Sequence, residues 1–168
     1  QGFGMRVVAF DIHKNDTLAR GYGFPYLPLE EVLERSDFVT IHLPLTADTE
    51  NLIDRAALQR MRPGSILINT ARGGIVDEAA LREALDSGHI HAAGLDVLDD
   101  EAHPEDDRLL DSENVTITPH IGFFTRESLD RMFDTAIQTI GAFRLGRTIN
   151  EVPLEYVKKI VIHTHPQD

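Results

Sequence analysis

The chain of 168 residues is long enough for one domain with a hydrophobic core, with little left for a second. Its net charge of −12 argues against a nucleic-acid partner, and no apolar run approaches the length that spans a membrane. Cysteine is absent, which excludes disulfides and thiol catalysis and fits a cytoplasmic enzyme. The first residue is Gln1 rather than methionine, and a strand is predicted almost at once, so we expect the chain to be a fragment.

Five short apolar runs predict five strands, at residues 5–10, 38–43, 66–68, 92–97 and 115–118. The first ends at Asp11, the second is broken by Pro44, and the last is closed by Pro119. The central run is apolar throughout, which is typical of a strand that a parallel sheet buries on both faces.

Helices are predicted between these strands and after the last of them. A short helix is predicted at 30–36, and Asp54 can cap another that extends through Met61. Asp77 is predicted to cap a helix that stops at Gly88. Thr125 is predicted to cap a long helix with one apolar stripe. The stripe consists of Leu129, Met132, Phe133, Ala136, Ile137 and Ile140.

The spacing of the predicted strands indicates the fold class. Their ends lie about 21 to 33 residues apart, which is the period of βα units with short loops. Right-handed crossovers between such units give a parallel sheet with helices on both faces. We therefore predict an α/β fold with a Rossmann-type, doubly wound parallel sheet that is truncated at its N-terminus.

Three chemically active side chains follow the carboxyl ends of three predicted strands: Arg72, Glu101 and His120. Open α/β sheets bind their ligands at that edge, so one cleft could gather all three. An arginine can hold a substrate carboxylate, and a histidine can protonate a carbonyl oxygen as hydride reaches the carbon. Glu101 would orient the imidazole and favour its charged form. This set suits the reduction of a 2-oxo acid.

Other interpretations of single residues remain open at this point. Arg72 alone could be a solubilising charge, and His120 alone a satisfied histidine beside a proline turn. Asp11, which closes the first predicted strand, could accept hydrogen bonds from an adenosine ribose or could be a turn residue. The run of acids from Asp99 to Glu113 shows no clear metal-ligand spacing, so we interpret it as a solvated loop and predict no metal site.

Several separated motifs, in order and at matching spacing, resemble the NAD-binding domain of the D-isomer-specific 2-hydroxyacid dehydrogenases. They are Asn69-Thr-Ala-Arg-Gly-Gly-Ile-Val-Asp77, Gly94-Leu-Asp-Val97 followed by Glu101, Thr118-Pro-His-Ile-Gly122, and His42-Leu-Pro-Leu-Thr46 with Thr49. The resemblance extends from Gly2 to about Arg147. It implies a partial NAD-binding domain at 1–147 and a C-terminal tail at 148–168 that returns to a substrate domain.

The resemblance also implies the roles of particular residues. Arg72, Glu101 and His120 would be the catalytic set of an NAD-dependent oxidoreductase that interconverts a small D-2-hydroxy acid and its 2-oxo acid. Asp11 would bind the ribose of NAD, and Asp96 the nicotinamide carboxamide. The remaining residues implied to line the NAD site are Pro44, Thr49, Thr70, Ala71 and Gly122. We expect the parent protein to be a homodimer without membrane or nucleic-acid partners.

The chain also departs from the family pattern. The first strand, the glycine loop and its helix have no counterpart, so we expect the isolated chain to bind NADH weakly and to turn over no substrate. Phe123-Phe124 resembles the D-lactate dehydrogenase branch, whereas the distance from Asp96 to His120 matches the glycerate and phosphoglycerate types. The alternative function is an NAD(H)-sensing module of the corepressor type, which shares this fold and would not need turnover.

Overall fold

The computed structural model describes residues 2–151. The chain divides into two compact units, Gln1–Gly122 and Phe123–Asp168. Most of the predicted C-terminal tail at 148–168 lies outside the described residues. The candidate site residues all belong to the first unit.

The first unit is built on a sheet of four parallel strands, in the order β1-β2-β3-β4. The strands are β1 (Phe38–Ile41), β2 (Ser65–Asn69), β3 (Ile90–Leu95) and β4 (Val115–Ile117). In β2 the side chains of Ser65, Leu67 and Asn69 are buried, while those between them are partly exposed. The predicted α/β class and parallel sheet are confirmed.

The register of the sheet aligns the four strand ends. Ile41 pairs with Asn69, Asn69 with Leu95, and Leu95 with Ile117. These four residues are the last of their strands and form one row across the sheet. The loops that leave the sheet after β2, β3 and β4 therefore start side by side, with neighbouring strands about 4.8 Å apart.

Five α-helices are described: α1 (Asp16–Tyr22), α2 (Leu29–Arg35), α3 (Arg55–Arg60), α4 (Glu78–Asp86) and α5 (Arg126–Arg144). Two 3₁₀ turns, Pro104–Asp106 and Arg108–Asp111, lie between β3 and β4. The predicted caps are confirmed, because the side chain of each accepts a hydrogen bond from a backbone N–H three residues later. They are Asp54 at 2.8 Å, Asp77 at 2.9 Å and Thr125 at 3.1 Å.

The hydrophobic core lies where α2 packs on α3, α3 on α4, and α4 on β3 of the sheet. Leu33 of α2, Leu58 of α3 and Leu81 of α4 are at most 1% exposed. Leu67 of β2 and Ile75 are fully buried with them. Burial on this scale contributes about 2 kcal/mol for each such side chain. Because β2 and Ile75 are both part of the core, the loop between them starts and ends there.

The prediction of a strand at 5–10 is wrong. Only Ala9 in this segment makes a bridge, parallel to Tyr26, through hydrogen bonds from Ala9 N to Pro25 O and from Leu27 N to Ala9 O. A strand requires a continuous ladder, and here the segment runs beside the connection between α1 and α2 rather than beside a strand of the sheet. Met5 and Val7 are accordingly 52% and 42% exposed.

Helix α1 was not predicted, although its signals are present in the sequence. The Asn15 side chain accepts a hydrogen bond from Leu18 N at 2.9 Å, which caps the start of the helix. Gly23 ends it in a left-handed conformation with φ of 68°, which glycine adopts without strain. The helix has only seven residues, none of them buried, so it is too short to show the apolar periodicity on which the sequence predictions relied.

The described part of the second unit contains α5, and most of the apolar stripe of this helix is exposed. Phe133, Ile137, Ile140 and Phe143 are between 63% and 75% exposed. No helix in the described part of the chain combines the length and hydropathy needed to cross a bilayer.

Candidate active site

A buried asparagine shapes the loop that carries Arg72. Asn69, the last residue of β2, is 2% exposed. Its side-chain oxygen accepts from Ala71 N at 3.0 Å, and its Nδ2 donates to Arg72 O at 2.8 Å. Arg72 itself is exposed, and its Nη1 donates to the Ala71 carbonyl oxygen at 2.6 Å. The turn is therefore fixed at its base while the guanidinium remains at the surface.

The far side of this loop is tied to the segment after β1. Asn51 N donates to Gly74 O at 2.7 Å, and Ile53 N donates to Ile75 O at 3.0 Å. Ile53 O in turn accepts from Asp77 N at 3.1 Å. Arg72 thus projects from a loop with both ends hydrogen-bonded to the scaffold.

His120 has an unusual backbone conformation, with φ of 52°. A residue with a Cβ is strained in this left-handed region by about 1 kcal/mol or more. The strain is offset by Asp96, the first residue after β3, whose carboxylate accepts three hydrogen bonds from the same loop. The donors are Thr118 Oγ1 at 2.5 Å, Ile121 N at 2.9 Å and Gly122 N at 2.7 Å.

Asp96 is 5% exposed, and the loop around His120 maintains its charge. Burial alone would raise the pKa of Asp96. The hydrogen bonds from Thr118, Ile121 and Gly122, together with the nearby charge of His120, outweigh burial and hold that pKa below its ordinary value. Gly122 approaches so closely that a Cβ there would lie 2.9 Å from Asp96 Oδ2.

Glu101 and His120 are in contact, as the sequence predicts. Glu101 Oε2 lies 2.9 Å from His120 Nδ1, and the two side chains are 45% and 40% exposed. A turn organised by Asp100 surrounds Glu101, because Asp100 Oδ1 accepts from Ala102 N and His103 N. A hydrogen bond from the His103 ring and then that from Ala102 N lower the pKa of Asp100, which favours the anion that this turn requires.

The structure brings the predicted catalytic residues together unequally. His120 and Glu101 form a pair. The guanidinium of Arg72 instead donates a hydrogen bond to the carbonyl oxygen of Ala71 in its own loop. The three residues nevertheless leave the same edge of the sheet, and β2 and β4 are separated by β3 alone. Two strand spacings correspond to about 10 Å, a distance that a small substrate and a long arginine side chain can cover.

Most of the residues predicted to bind NAD lie in the loops after β1 and β2. Asp11 lies in the segment before α1. Thr49 Oγ1 donates to Pro44 O at 2.6 Å and so closes the loop after β1. Thr70 is exposed directly after β2, and Ala71 is partly buried beside it. Asp11 Oδ1 accepts from His13 N at 2.7 Å.

Sequence reasoning missed the anchoring roles of Asn69 and Asp96. The role of Asp96 toward the cofactor stays a prediction, and in the structure two of its three hydrogen bonds go to the backbone beside His120. Both residues are polar, lie at the end of an apolar strand and are at most 5% exposed. A polar residue in that position needs hydrogen-bond partners, and this signal could have indicated their role.

A group of acids lies between α4 and the loop after β3. Glu78, Asp99 and Asp107 line a cleft of about 490 Å³ there. Burial raises the pKa of Glu78 to about 8, with a smaller contribution in the same direction from the charges of Asp99 and Asp107. Burial likewise raises the pKa of Asp99. The described residues contain no group of three or more His, Asp or Glu arranged to hold a metal ion.

We expect Glu78→Gln to change how the free energy of unfolding depends on pH. The folded state keeps the Glu78 proton up to about pH 8, whereas the unfolded chain releases it near the ordinary value of 4.5, so this group destabilises the fold as pH rises between them. The variant should gain on the order of 1 kcal/mol over the parent at pH 8.5, after solvent screening of a half-buried group, and nothing at pH 4. Urea titrations of parent and variant between pH 4 and pH 8.5 measure this difference in the free energy of unfolding. Glu113→Gln, at an exposed acid before β4, is the control, and an equal gain there would contradict the assignment.

Comparison with known proteins shows the family. Residues 1–122 match the D-isomer specific 2-hydroxyacid dehydrogenase, NAD binding domain. A glyoxylate reductase of Korarchaeum cryptofilum is 40% identical over 166 residues, which cover 99% of this chain and 49% of the reductase. A D-3-phosphoglycerate dehydrogenase of Mycobacterium bovis is 46% identical over 129 residues, covering 77% of this chain and 24% of that protein.

A solved D-lactate dehydrogenase from Aquifex aeolicus, complexed with NAD and lactic acid, shares the fold with a TM-score of 0.81 and 35% identity. The match covers 94% of this chain and 50% of the dehydrogenase chain. The chain therefore spans about half the length of the reductase and of this dehydrogenase. The family match ends at residue 122, where the first compact unit also ends. The chain belongs to the D-isomer specific 2-hydroxyacid dehydrogenase family, in its NAD binding domain.

Proposed function

We propose that the native protein containing this chain is an NAD-dependent oxidoreductase that interconverts a small D-2-hydroxy acid and its 2-oxo acid. The observation that carries the proposal is the pair of His120 Nδ1 and Glu101 Oε2 at 2.9 Å, at the edge of the sheet from which Arg72 also emerges. The relatives described above, which are named as a reductase and as dehydrogenases, favour turnover over a purely sensing role.

Each of the three residues has a distinct task. Arg72, permanently charged and forked, binds the substrate carboxylate. His120, with Glu101 on Nδ1, presents Nε2 and its proton to the carbonyl oxygen that becomes the hydroxyl. Glu101 fixes the ring orientation and stabilises the imidazolium before the proton is transferred. In the opposite direction, neutral His120 accepts the hydroxyl proton.

The residues present fit a nicotinamide cofactor of the non-phosphorylated type. Asp11 uses Oδ1 to accept from His13 N, which leaves carboxylate lone pairs suited to ribose hydroxyls and opposed to a 2′-phosphate. Thr70 and Ala71 lie at the edge where open α/β sheets bind nucleotides. Pro44 and Thr49 belong to the neighbouring loop, while Asp96 binds the His120 loop, of which Gly122 is a part. NADH, when bound, supplies the hydride.

The proposal is tested by incubating the native protein with NADH and with pyruvate, glyoxylate or hydroxypyruvate, while the absorbance of NADH is followed. We expect consumption with at least one acid, and the D-isomer as the product in a chiral assay. NADPH should serve at least about tenfold less well, which corresponds to about 1.4 kcal/mol, because Asp11 repels the 2′-phosphate. Absence of consumption with every 2-oxo acid would overturn the proposed activity.

Asp11→Ser provides the control for the cofactor preference. Serine retains a hydrogen-bonding oxygen without the charge, so the ratio between NADH and NADPH should narrow while the rate with NADH changes less. Asp16→Ser, in α1, removes a nearby exposed charge and should leave the ratio unchanged. A parent protein that uses both cofactors equally would contradict the role of Asp11.

We also propose a homodimer and a cytoplasmic location for the native protein. The exposed apolar stripe of α5 supports the dimer, because a second copy could cover it. The absence of cysteine is compatible with a reducing compartment.

A further inference from the structure

The loops that carry Arg72 and Glu101 make contact at a point away from both of these side chains. Gly73, directly after Arg72, lies against the backbone of Leu98 and Asp99, three and four residues after the end of β3. A Cβ at Gly73 would overlap the Leu98 carbonyl group. Only glycine permits two backbones to approach this closely, so the relative position of the two loops is closely defined here.

Asp99 fastens this contact from the other side. Its side-chain Oδ1 accepts a hydrogen bond from Gly74 N. Its own N–H donates to Glu78 Oε1, at the start of α4, at 2.8 Å. Asp99 therefore connects three parts of the molecule: the Arg72 loop, the first turn of α4, and its own loop.

Glu101 lies only two residues after Asp99. Its pairing with His120 is half exposed to solvent, so water competes for both partners and the pair depends on where the loop places Glu101. The acids Glu78, Asp107 and Asp77 lie close to Asp99 and repel its charge, so the loop needs an attachment to stay in its place. The hydrogen bond to Gly74 N supplies that attachment.

We propose that Asp99 is a positioning residue, which holds the loop bearing Glu101 against the loop bearing Arg72. Through this attachment it sets Glu101 on His120 and aligns the pair with Arg72, so that one substrate molecule meets both groups. The inference deepens the proposed function and rests on it for its catalytic consequence. The attachment itself, the hydrogen bond from Gly74 N to Asp99 Oδ1, is a contact within this chain and does not depend on the proposed activity.

The test compares Asp99→Ala with Asp99→Asn. Alanine removes the acceptor for Gly74 N, whereas asparagine keeps an oxygen acceptor and removes the charge. In the alanine variant we expect kcat to fall about tenfold, and the alkaline limb of the reduction rate profile to move to lower pH, because Glu101 supports the imidazolium less well. The asparagine variant should retain the parental limb. Glu113→Ala, an exposed acid outside this contact, should match the parent.

A second readout does not depend on turnover. The NMR titration of the His120 ring, assigned by its loss in His120→Asn, should move to lower pH in Asp99→Ala and stay in place in Asp99→Asn. In a Glu101→Gln background, Asp99→Ala should cause no further movement, since the partner is already uncharged. Gly73→Ala, which forces the loops apart, should move the titration in the same direction as Asp99→Ala.

The two proposals fail separately. If the ring titration moves as expected but no 2-oxo acid is reduced, the proposed function falls and the positioning role of Asp99 stands. If Asp99→Asn moves the titration as far as Asp99→Ala, the effect is one of charge alone and the inference is overturned. It is equally overturned if Asp99→Ala lowers the melting temperature without moving the titration.

Discussion

Replacing Arg72 with lysine is expected to raise KM for the 2-oxo acid and lower kcat together, with the dissociation constant for NADH changed little. Lysine keeps the positive charge but lacks the planar fork that grips a carboxylate through two parallel hydrogen bonds. One lost charge-assisted hydrogen bond corresponds to about 1.5–3 kcal/mol, so kcat/KM should fall roughly 10- to 100-fold. Steady-state kinetics and a fluorescence titration of NADH measure the two effects.

Arg62→Lys is the matched control for this substitution. Arg62 is exposed and donates to Asp37 at 2.7 Å, on the other side of the core from the strand ends. An exposed ion pair of this kind contributes little, so the kinetics should remain parental. A loss of NADH affinity in Arg72→Lys equal to the loss of kcat/KM would place Arg72 in the cofactor site or in the scaffold instead.

The α/β fold and its strand ends were predictable because they depend on local and periodic signals. The runs at 66–68 and 92–97 are too apolar to be loops, and Asp77 precedes a helical stripe at capping distance. In parallel sheets the carboxyl ends of strands meet at one edge, so the residues after these runs were bound to be neighbours. The pairing of Glu101 with His120 followed from this placement and from their chemistry.

The segment at 5–10 shows where such reasoning fails. Its apolar run is a good strand by composition, but a strand also needs a neighbour, and no sequence window reports what lies beside it. In the structure its single bridge is to Tyr26. Helix α1 shows the opposite failure, because Asn15 and Gly23 mark its ends while its seven residues are too few for a clear apolar period.

The supports of the site depend on contacts between residues distant in the chain. Asp96 binds a loop 22 to 26 residues further along, and Asp99 binds Gly74, 25 residues earlier. These contacts exist because the register brings the ends of β2, β3 and β4 into one row. The sequence specifies the acids, but only the register shows that they hold the loops.

The largest loss of activity is expected from His120→Asn, which also separates chemistry from backbone strain. Asparagine tolerates left-handed φ better than most residues, so it should keep the loop that Asp96 holds at φ of 52° while removing the proton donor. We expect kcat to fall about 10²- to 10⁴-fold, the usual contribution of a positioned acid, with NADH binding retained.

His120→Ala should lose as much activity and also about 1 kcal/mol of stability, because alanine is strained in that conformation. His91→Asn, at an exposed histidine of β3, is the control and should keep parental kinetics. A loss in His120→Asn of less than tenfold would mean that His120 is not the acid, and its contact with Glu101 would then serve the loop alone.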